Sequence, residues 1–206
     1  MQEQPNKVGV VILAAGASRR MGQPKLLLPW GETTVLGHLL RQWNRLGAAQ
    51  ITVVCAAEAK PLATVLDKLG FPVTNRIVNP APEDGMFSSI RCAASWADWN
   101  RELTHWLITL GDQPQLREAT LRTLLDFSAR YPDKICQPMR AGRRKHPVLL
   151  PRRFFDKLKN TSAGDLKIFL TEHARDLSGF ESIDTGLDFD MDTPEDYERV
   201  RHFAGL

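Results

Sequence analysis

Apolar and polar residues change places along this chain in two rhythms, one of strands and one of helices. Val8 to Ala14 is an unbroken aliphatic run, the pattern of a strand covered on both faces in a parallel sheet, and Gly16 follows it. From Thr33 to Leu46 the apolar positions Val35, Leu36, Leu39, Leu40, Trp43 and Leu46 fall at helical spacing, and Gly47 closes the segment. Ile51 to Ala56 predicts a second strand, Ala59 to Leu69 a helix stopped by Gly70, Val73 to Val78 a third strand and Ser88 to Trp99 a helix. Trp106 to Leu110 predicts a buried strand that breaks at Gly111, Ala119 to Ala129 a helix and Lys134 to Gln137 a short strand. Strand and helix alternating in this way predict an α/β sandwich of three layers around a mainly parallel sheet.

Past Gln137 the rhythm loosens. Val148 to Leu150 is apolar with too little helix before it for a parallel crossover, so it predicts an antiparallel excursion beside the active face. Residues 152–175 predict two short helical pieces, and Glu181 to Asp184 the last strand. Neither a repeat nor a linker breaks the pattern, so residues 1–206 are expected to form a single domain.

Composition narrows the partners. The 27 basic and 24 acidic residues leave a formal charge of +3, spread too evenly for a nucleic-acid surface. A local anionic ligand fits better. No apolar stretch approaches the roughly 18 residues of a membrane span, and the N-terminus lacks the features of a leader peptide. Cys55, Cys92 and Cys136 lie far apart, with neither CxxC spacing nor a histidine-rich neighbourhood, so a cytoplasmic setting is expected.

In open α/β sheets ligands gather beyond the carboxyl ends of the strands. The loop after the first strand, "AAGASRRMGQPK", stands at that place with two glycines and the cations Arg19, Arg20 and Lys25. Backbone N–H groups from Ala14 to Ser18 can turn towards an anion there, because Gly16 has no side chain. A polyphosphate is the expected guest; the competing reading is a glycine-rich turn with solvated charges. The spacing is neither that of a Walker A loop nor the dinucleotide GxGxxG, which removes the usual warrant for a P-loop ATPase or a nicotinamide dehydrogenase.

The segment "LAAGASRRMGQPKLLLP" resembles the signature LAAGxSxRMGxxK of the MobA-like nucleotidyltransferases. "GMFSSI" at 85–90, "GDQP" at 111–114, "HPVLLP" at 146–151 and "DMDTPEDY" at 190–197 follow in that family's order, so the resemblance spans nearly the whole chain. Ala15 stands where the molybdenum cofactor cytidylyltransferases read LAAG and the guanylyltransferases usually read LAGG. The resemblance implies a Rossmann-like nucleotide-diphospho-sugar transferase fold, Mg²⁺ dependence, and transfer of CMP from CTP to the phosphate of molybdopterin with release of pyrophosphate. A molybdenum enzyme such as a molybdenum hydroxylase is the implied recipient of the product. The alternatives are transfer to a sugar phosphate or another phosphorylated alcohol, and a cofactor-binding chaperone.

The signature implies nucleotide contacts from Leu13, Ala14, Ala15, Gly16, Ser18, Arg19 and Lys25, with Arg19 and Lys25 neutralising the triphosphate. Arg20 is balanced between a similar role and solvation. Asp112, directly after a buried strand, is the expected first metal ligand and a catalytic residue; the rival is a turn aspartate. If "LDFDMDTPEDY" is extended, Asp188, Asp190 and Asp192 share one side, and Asp190 or Asp192 matches the family pattern as second metal ligand. Thr193, Pro194 and Asp196 read as a helix start. Gly85 permits close approach to a base, while Ser88 or Ser89 contacts base or ribose or merely caps the helix, and Asn79 is a further candidate. His146, Asp165 and Lys167 are expected on the acceptor side, where the chain departs from the family: Lys145 replaces a glycine, and "GDLKIFL" lacks the second glycine of GDxGxR.

Overall fold

A computed structural model describes residues 6–206; residues 1–5, part of the N-terminal stretch read for a leader, lie outside it. The strands are β1 (Val8–Leu13), β2 (Pro29–Trp30), β3 (Thr33–Thr34), β4 (Gln50–Ala56), β5 (Arg76–Asn79), β6 (His105–Leu110), β7 (Ile135–Arg140), β8 (Arg143–Arg144), β9 (Val148–Pro151) and β10 (Leu177–Glu181). The α-helices are α1 (Val35–Arg45), α2 (Lys60–Lys68), α3 (Met86–Ser95), α4 (Glu118–Arg130), α5 (Arg152–Lys157), α6 (Leu166–Glu172) and α7 (Pro194–Phe203).

The main sheet runs β10-β7-β9-β6-β1-β4-β5, with β8 folded back on β7 and β2 paired with β3 outside it. Along that path β9 alone opposes its neighbours, which is the antiparallel excursion the sequence predicts. Alternate residues of each strand enter opposite cores. Val10, Ile12, Val53, Leu107 and Leu149 pack with α1, α2, α4 and α7, whereas Val11, Val54, Ile108, Val148 and Leu150 pack with α3, α5 and α6. Helices therefore cover both faces, and a fully buried aliphatic side chain in either core contributes about 1.5–3 kcal/mol.

The carboxyl ends of β1 and β6 meet closely. Gly111 donates its N–H to the Leu13 carbonyl at 3.1 Å, and a Cβ on Gly111 would stand 2.6 Å from that oxygen. Only glycine lets the two strand ends, and so the loop and Asp112, come so near. The far end of the loop is pinned by buried Leu26, Leu28 and Trp30, and Tyr197 of α7 donates to the Pro29 carbonyl at 2.6 Å.

Several expectations need correction. Val73–Asn75 is a 3-10 turn and the strand follows it. Helix α3 starts at Met86 with Gly85 as N-cap, so Ser88 is not its cap. The last strand is Leu177–Glu181 rather than 181–184; Asp184 is buried and caps a 3-10 turn over Thr185–Asp188. That turn removes Asp188 from the acidic face, and Asp188 pairs instead with Arg140 and Lys145 at 3.2 and 2.8 Å. Over 189–192 the alternation survives without a strand: Met191 is buried, Asp190 exposed and Asp192 half-buried. Thr193 and Asp196 form the predicted capping box, with Pro194 opening α7.

Candidate active site

The loop after β1 leaves its backbone donors open. The Ala14 N–H is spent on the Val54 carbonyl at 2.9 Å, which corrects the expectation that it faces the ligand. Among the described residues the N–H groups of Ala15, Gly16, Ala17 and Ser18 have no acceptor. Ser18 takes the left-handed conformation, φ 50°, and its Oγ accepts from the Lys25 N–H at 3.2 Å, closing the loop on itself. A Cβ on Gly16 would touch no protein atom, so the space before it is free for a ligand. Such a run of open N–H groups is an anion-binding concavity.

Beneath the loop lies a cavity of about 290 Å³ lined by Leu13, Ala15, Gly16, Lys25, Ser89 and Asp112, among others. It continues into a larger one of about 840 Å³ that Arg19 helps to line. Arg19 is exposed and has no acidic partner among the described residues. Lys25 Nζ lies 2.5 Å from Asp112 Oδ2 and 3.2 Å from Asp192 Oδ1, with its side chain 15% exposed. Arg20, which the sequence leaves balanced, contacts Asp192 Oδ2 at 2.7 Å. Asp190 stands apart from these cations and accepts from Gln113 Nε2 at 3.3 Å.

The second wall of the cleft is built differently. Asn79 is buried, and its amide donates to Ser88 Oγ and Ser89 Oγ at 2.8 and 2.9 Å while its oxygen accepts from the Ala81 N–H at 3.0 Å. Asn79 thus braces the wall rather than facing the ligand. The Ser88 hydroxyl has the Ala81 and Gly85 carbonyls at 3.0 and 2.8 Å, whereas Ser89 Oγ lines the cavity with its proton unspent. Gly85 holds φ 88°, ψ −179°, a conformation other residues reach only under strain, and it too lines the cavity.

On the acceptor side the expected residues do not all converge. His146 sits near Asp112 and Asp190; burial pushes its pKa down, against the upward pull of the Ile108 backbone and those two carboxylates. Asp165 is exposed and caps α6, accepting from the Ile168 N–H at 2.7 Å, and exposed Lys167 lies on that helix; neither lines the cleft cavities. The sequence marks Gly111 only as the end of a strand and gives neither it nor Gln113 a place in the site. Their signal lay in the same "GDQP" turn, where a glycine at a strand end and a glutamine beside an acid both had work to do.

The carboxylates fit a divalent cation. Asp112 Oδ1 is buried without a partner, and Asp112 and Asp192 already share one positive charge. Among the described residues no three His, Cys, Asp or Glu side chains form a ready-made metal site, and a hard divalent cation held by two carboxylates takes its other ligands from waters and substrate phosphates.

The profile of the MobA-like NTP transferase domain matches residues 10–177. The chain belongs to the MobA-like NTP transferase family. Among MobA-like relatives, it is 28% identical over 200 residues to the nicotine blue oxidoreductase of Paenarthrobacter nicotinovorans, covering 92% of this chain and 94% of that protein. It is 24% identical over 195 residues to the molybdenum cofactor cytidylyltransferase of Escherichia coli K12, covering 92% and 93%. The structure of Rv0371c from Mycobacterium tuberculosis in complex with manganese superposes with a TM-score of 0.70 at 27% identity, covering 96% of this chain and 99% of that one. Against the bifunctional protein GlmU of Leifsonia xyli the chain is 32% identical over 123 residues, but spans only 24% of that protein's length. The fold is that of the nucleotide-sugar transferases, as the resemblance implied. Relatives named for two reaction classes leave the choice of chemistry to the site. Among the described residues no helix is long and apolar enough to cross a membrane.

Proposed function

We propose that this chain is a nucleotidyltransferase that moves CMP from CTP to the phosphate of molybdopterin and releases pyrophosphate, with Mg²⁺ as its metal. The observation that carries the transfer chemistry is the joining of open loop N–H groups, Lys25 and the Asp112–Asp192 pair in one cleft. Attack of one phosphate on another needs charge neutralisation and alignment more than covalent help. Ala15 to Ser18 would bind the triphosphate, and Lys25 and Arg19 would spread the charge that grows on the leaving pyrophosphate. Asp112 and Asp192 would hold the metal, with Asp190 beside them through Gln113. A bound divalent ion would add Lewis-acid polarisation of the phosphates. Leu13, Gly85 and Ser89 would face base and ribose, and His146 the acceptor. The base and the acceptor rest on Ala15 and on the full-length relative from Escherichia coli.

The test is pyrophosphate release from each of the four common nucleoside triphosphates with Mg²⁺, with and without molybdopterin. CTP-specific release that requires molybdopterin supports the reading. Release with GTP alone would sink the base assignment, release needing a sugar phosphate would sink the acceptor, and binding without turnover would mark a carrier.

A further inference from the structure

A lysine that serves a triphosphate has no need of two carboxylates, yet Lys25 Nζ contacts both Asp112 and Asp192. Arg20 covers the remaining Asp192 oxygen at 2.7 Å, so three of the four carboxylate oxygens of the pair are held by the chain's own cations and only Asp112 Oδ1 has no partner. Two carboxylates this close favour a positive charge between them. An ammonium on a flexible stem supplies one and can also leave, being a compact charge with rotatable donors. The Lys25 backbone is tied to Ser18 Oγ, so the side chain can swing while the residue stays fixed to the loop. The open N–H groups of that same loop mark where it would swing to.

We infer that Lys25, assisted by Arg20, is an exchangeable stand-in for the divalent cation. In the nucleotide-free chain it occupies the place between Asp112 and Asp192; a triphosphate bound on the loop draws Nζ away and opens the carboxylates to metal. The inference deepens the nucleotidyl-transfer reading and takes the identity of the anion from it. Metal and nucleotide then bind cooperatively, and by linkage each tightens the other by the same factor, which for coupled sites is usually about 5–150-fold.

The experiment is Mn²⁺ binding followed by electron paramagnetic resonance on the parent, Lys25→Met and Arg20→Gln, alone and with CTP but no acceptor. The parent should bind Mn²⁺ weakly alone and much more tightly with CTP. Lys25→Met should bind Mn²⁺ alone about tenfold more tightly than the parent and lose most of the further gain from CTP, as expected when a coupling element is removed. Arg20→Gln, at a side chain 72% exposed, should shift the same way by less. Equal or weaker Mn²⁺ binding by both nucleotide-free variants overturns the inference. The nucleotide-free arms need neither base nor acceptor. A Lys25→Met gain in a chain that does not turn over CTP sinks the cytidylyl reading and leaves the stand-in, and turnover without that gain does the reverse.

Discussion

The two ends of the central sheet put their polar groups to opposite use. At the amino ends of β1, β4 and β6 most polar groups are satisfied within the chain, with the buried Trp106 Nε1–H an exception: Gln50 donates to Asn75 and the Asp98 carbonyl, both at 3.2 Å, and accepts from the Asn100 N–H at 2.8 Å. His105 beside it is saturated as well, with Thr104 and the Pro132 carbonyl each 2.9 Å from a ring nitrogen. At the carboxyl ends of the same strands the loop keeps open N–H groups, Asp112 Oδ1 has no partner and Lys25 is shared between two acids. An unpaired buried polar group costs about 1–3 kcal/mol, so a fold tolerates such a cluster where a ligand completes it. The contrast separates the stability of this molecule from its chemistry.

Substitutions should therefore split by end. The largest effect is expected at the carboxyl end: Asp112→Asn should lower kcat by about 10²–10³-fold, the loss typical when one group that stabilises transition-state charge is removed. Its thermal midpoint should stay near the parent's, because the amide keeps the shape of the carboxylate and Lys25 retains Asp192 as a counter-ion. A variant that melts early, or one that turns over normally, would break the contrast at its strongest point. Next comes Gly16→Ala. The backbone there is not left-handed and the methyl meets no protein atom, so stability should hold or rise by about 0.4–1 kcal/mol. The methyl should instead intrude on the nucleotide and raise its KM about tenfold, as one methyl group does in a fitted pocket. Unchanged KM would mean that the open donors of the loop face no ligand.

The legible part of this molecule follows the same division. Continuous aliphatic runs and helical spacing mark β1, α1, β4, α2, α3, β6 and α4, because burial on both faces leaves few alternatives to those patterns, whereas the short pair β2–β3 carries no such signal. The edge strand β10, "LSGFE", has no such signal, since two small residues and a half-buried face look like loop. Asp188 leaves the acidic face for a related reason: Asp184 closes a 3-10 turn through its own side chain, and four residues of tight turn cancel the alternation that "LDFDMD" suggests. Lys25, Asp112 and the loop could be read from the sequence as a phosphate site. Their mutual contact could not, because the loop and the two acids are far apart in the chain: Gly111 lets β1 and β6 close up and brings Asp112 to the loop, and the start of α7 brings Asp192. Asn79 went the other way: as a polar residue at a strand end it looked like a ligand contact, and it is consumed by Ser88 and Ser89.

The smallest effect belongs to the amino end and is a dependence on pH. His105 is 4% exposed, and burial lowers its pKa from 6.5 against the opposing pull of the Pro132 carbonyl and Asp133. A carbonyl only accepts, so the His105 Nε2–H donates to Pro132 and Nδ1 accepts from the Thr104 hydroxyl, and the neutral ring is fully satisfied. The unfolded chain takes up a proton near pH 6.5 and the folded chain only below that, so below pH 6.5 the unfolded state binds more protons. Stability contributed by the neutral ring is complete above that value and lost as the pH falls beneath it. Denaturation midpoints of the parent should accordingly fall between about pH 7.5 and about pH 5.5, and His105→Gln should flatten part of that fall. Turnover at neutral pH should not change, since this ring lies at the end of β6 away from Asp112. Equal pH slopes in parent and variant would show that the amino end does not hold its histidine neutral, and an altered kcat would show that the two ends are not separate.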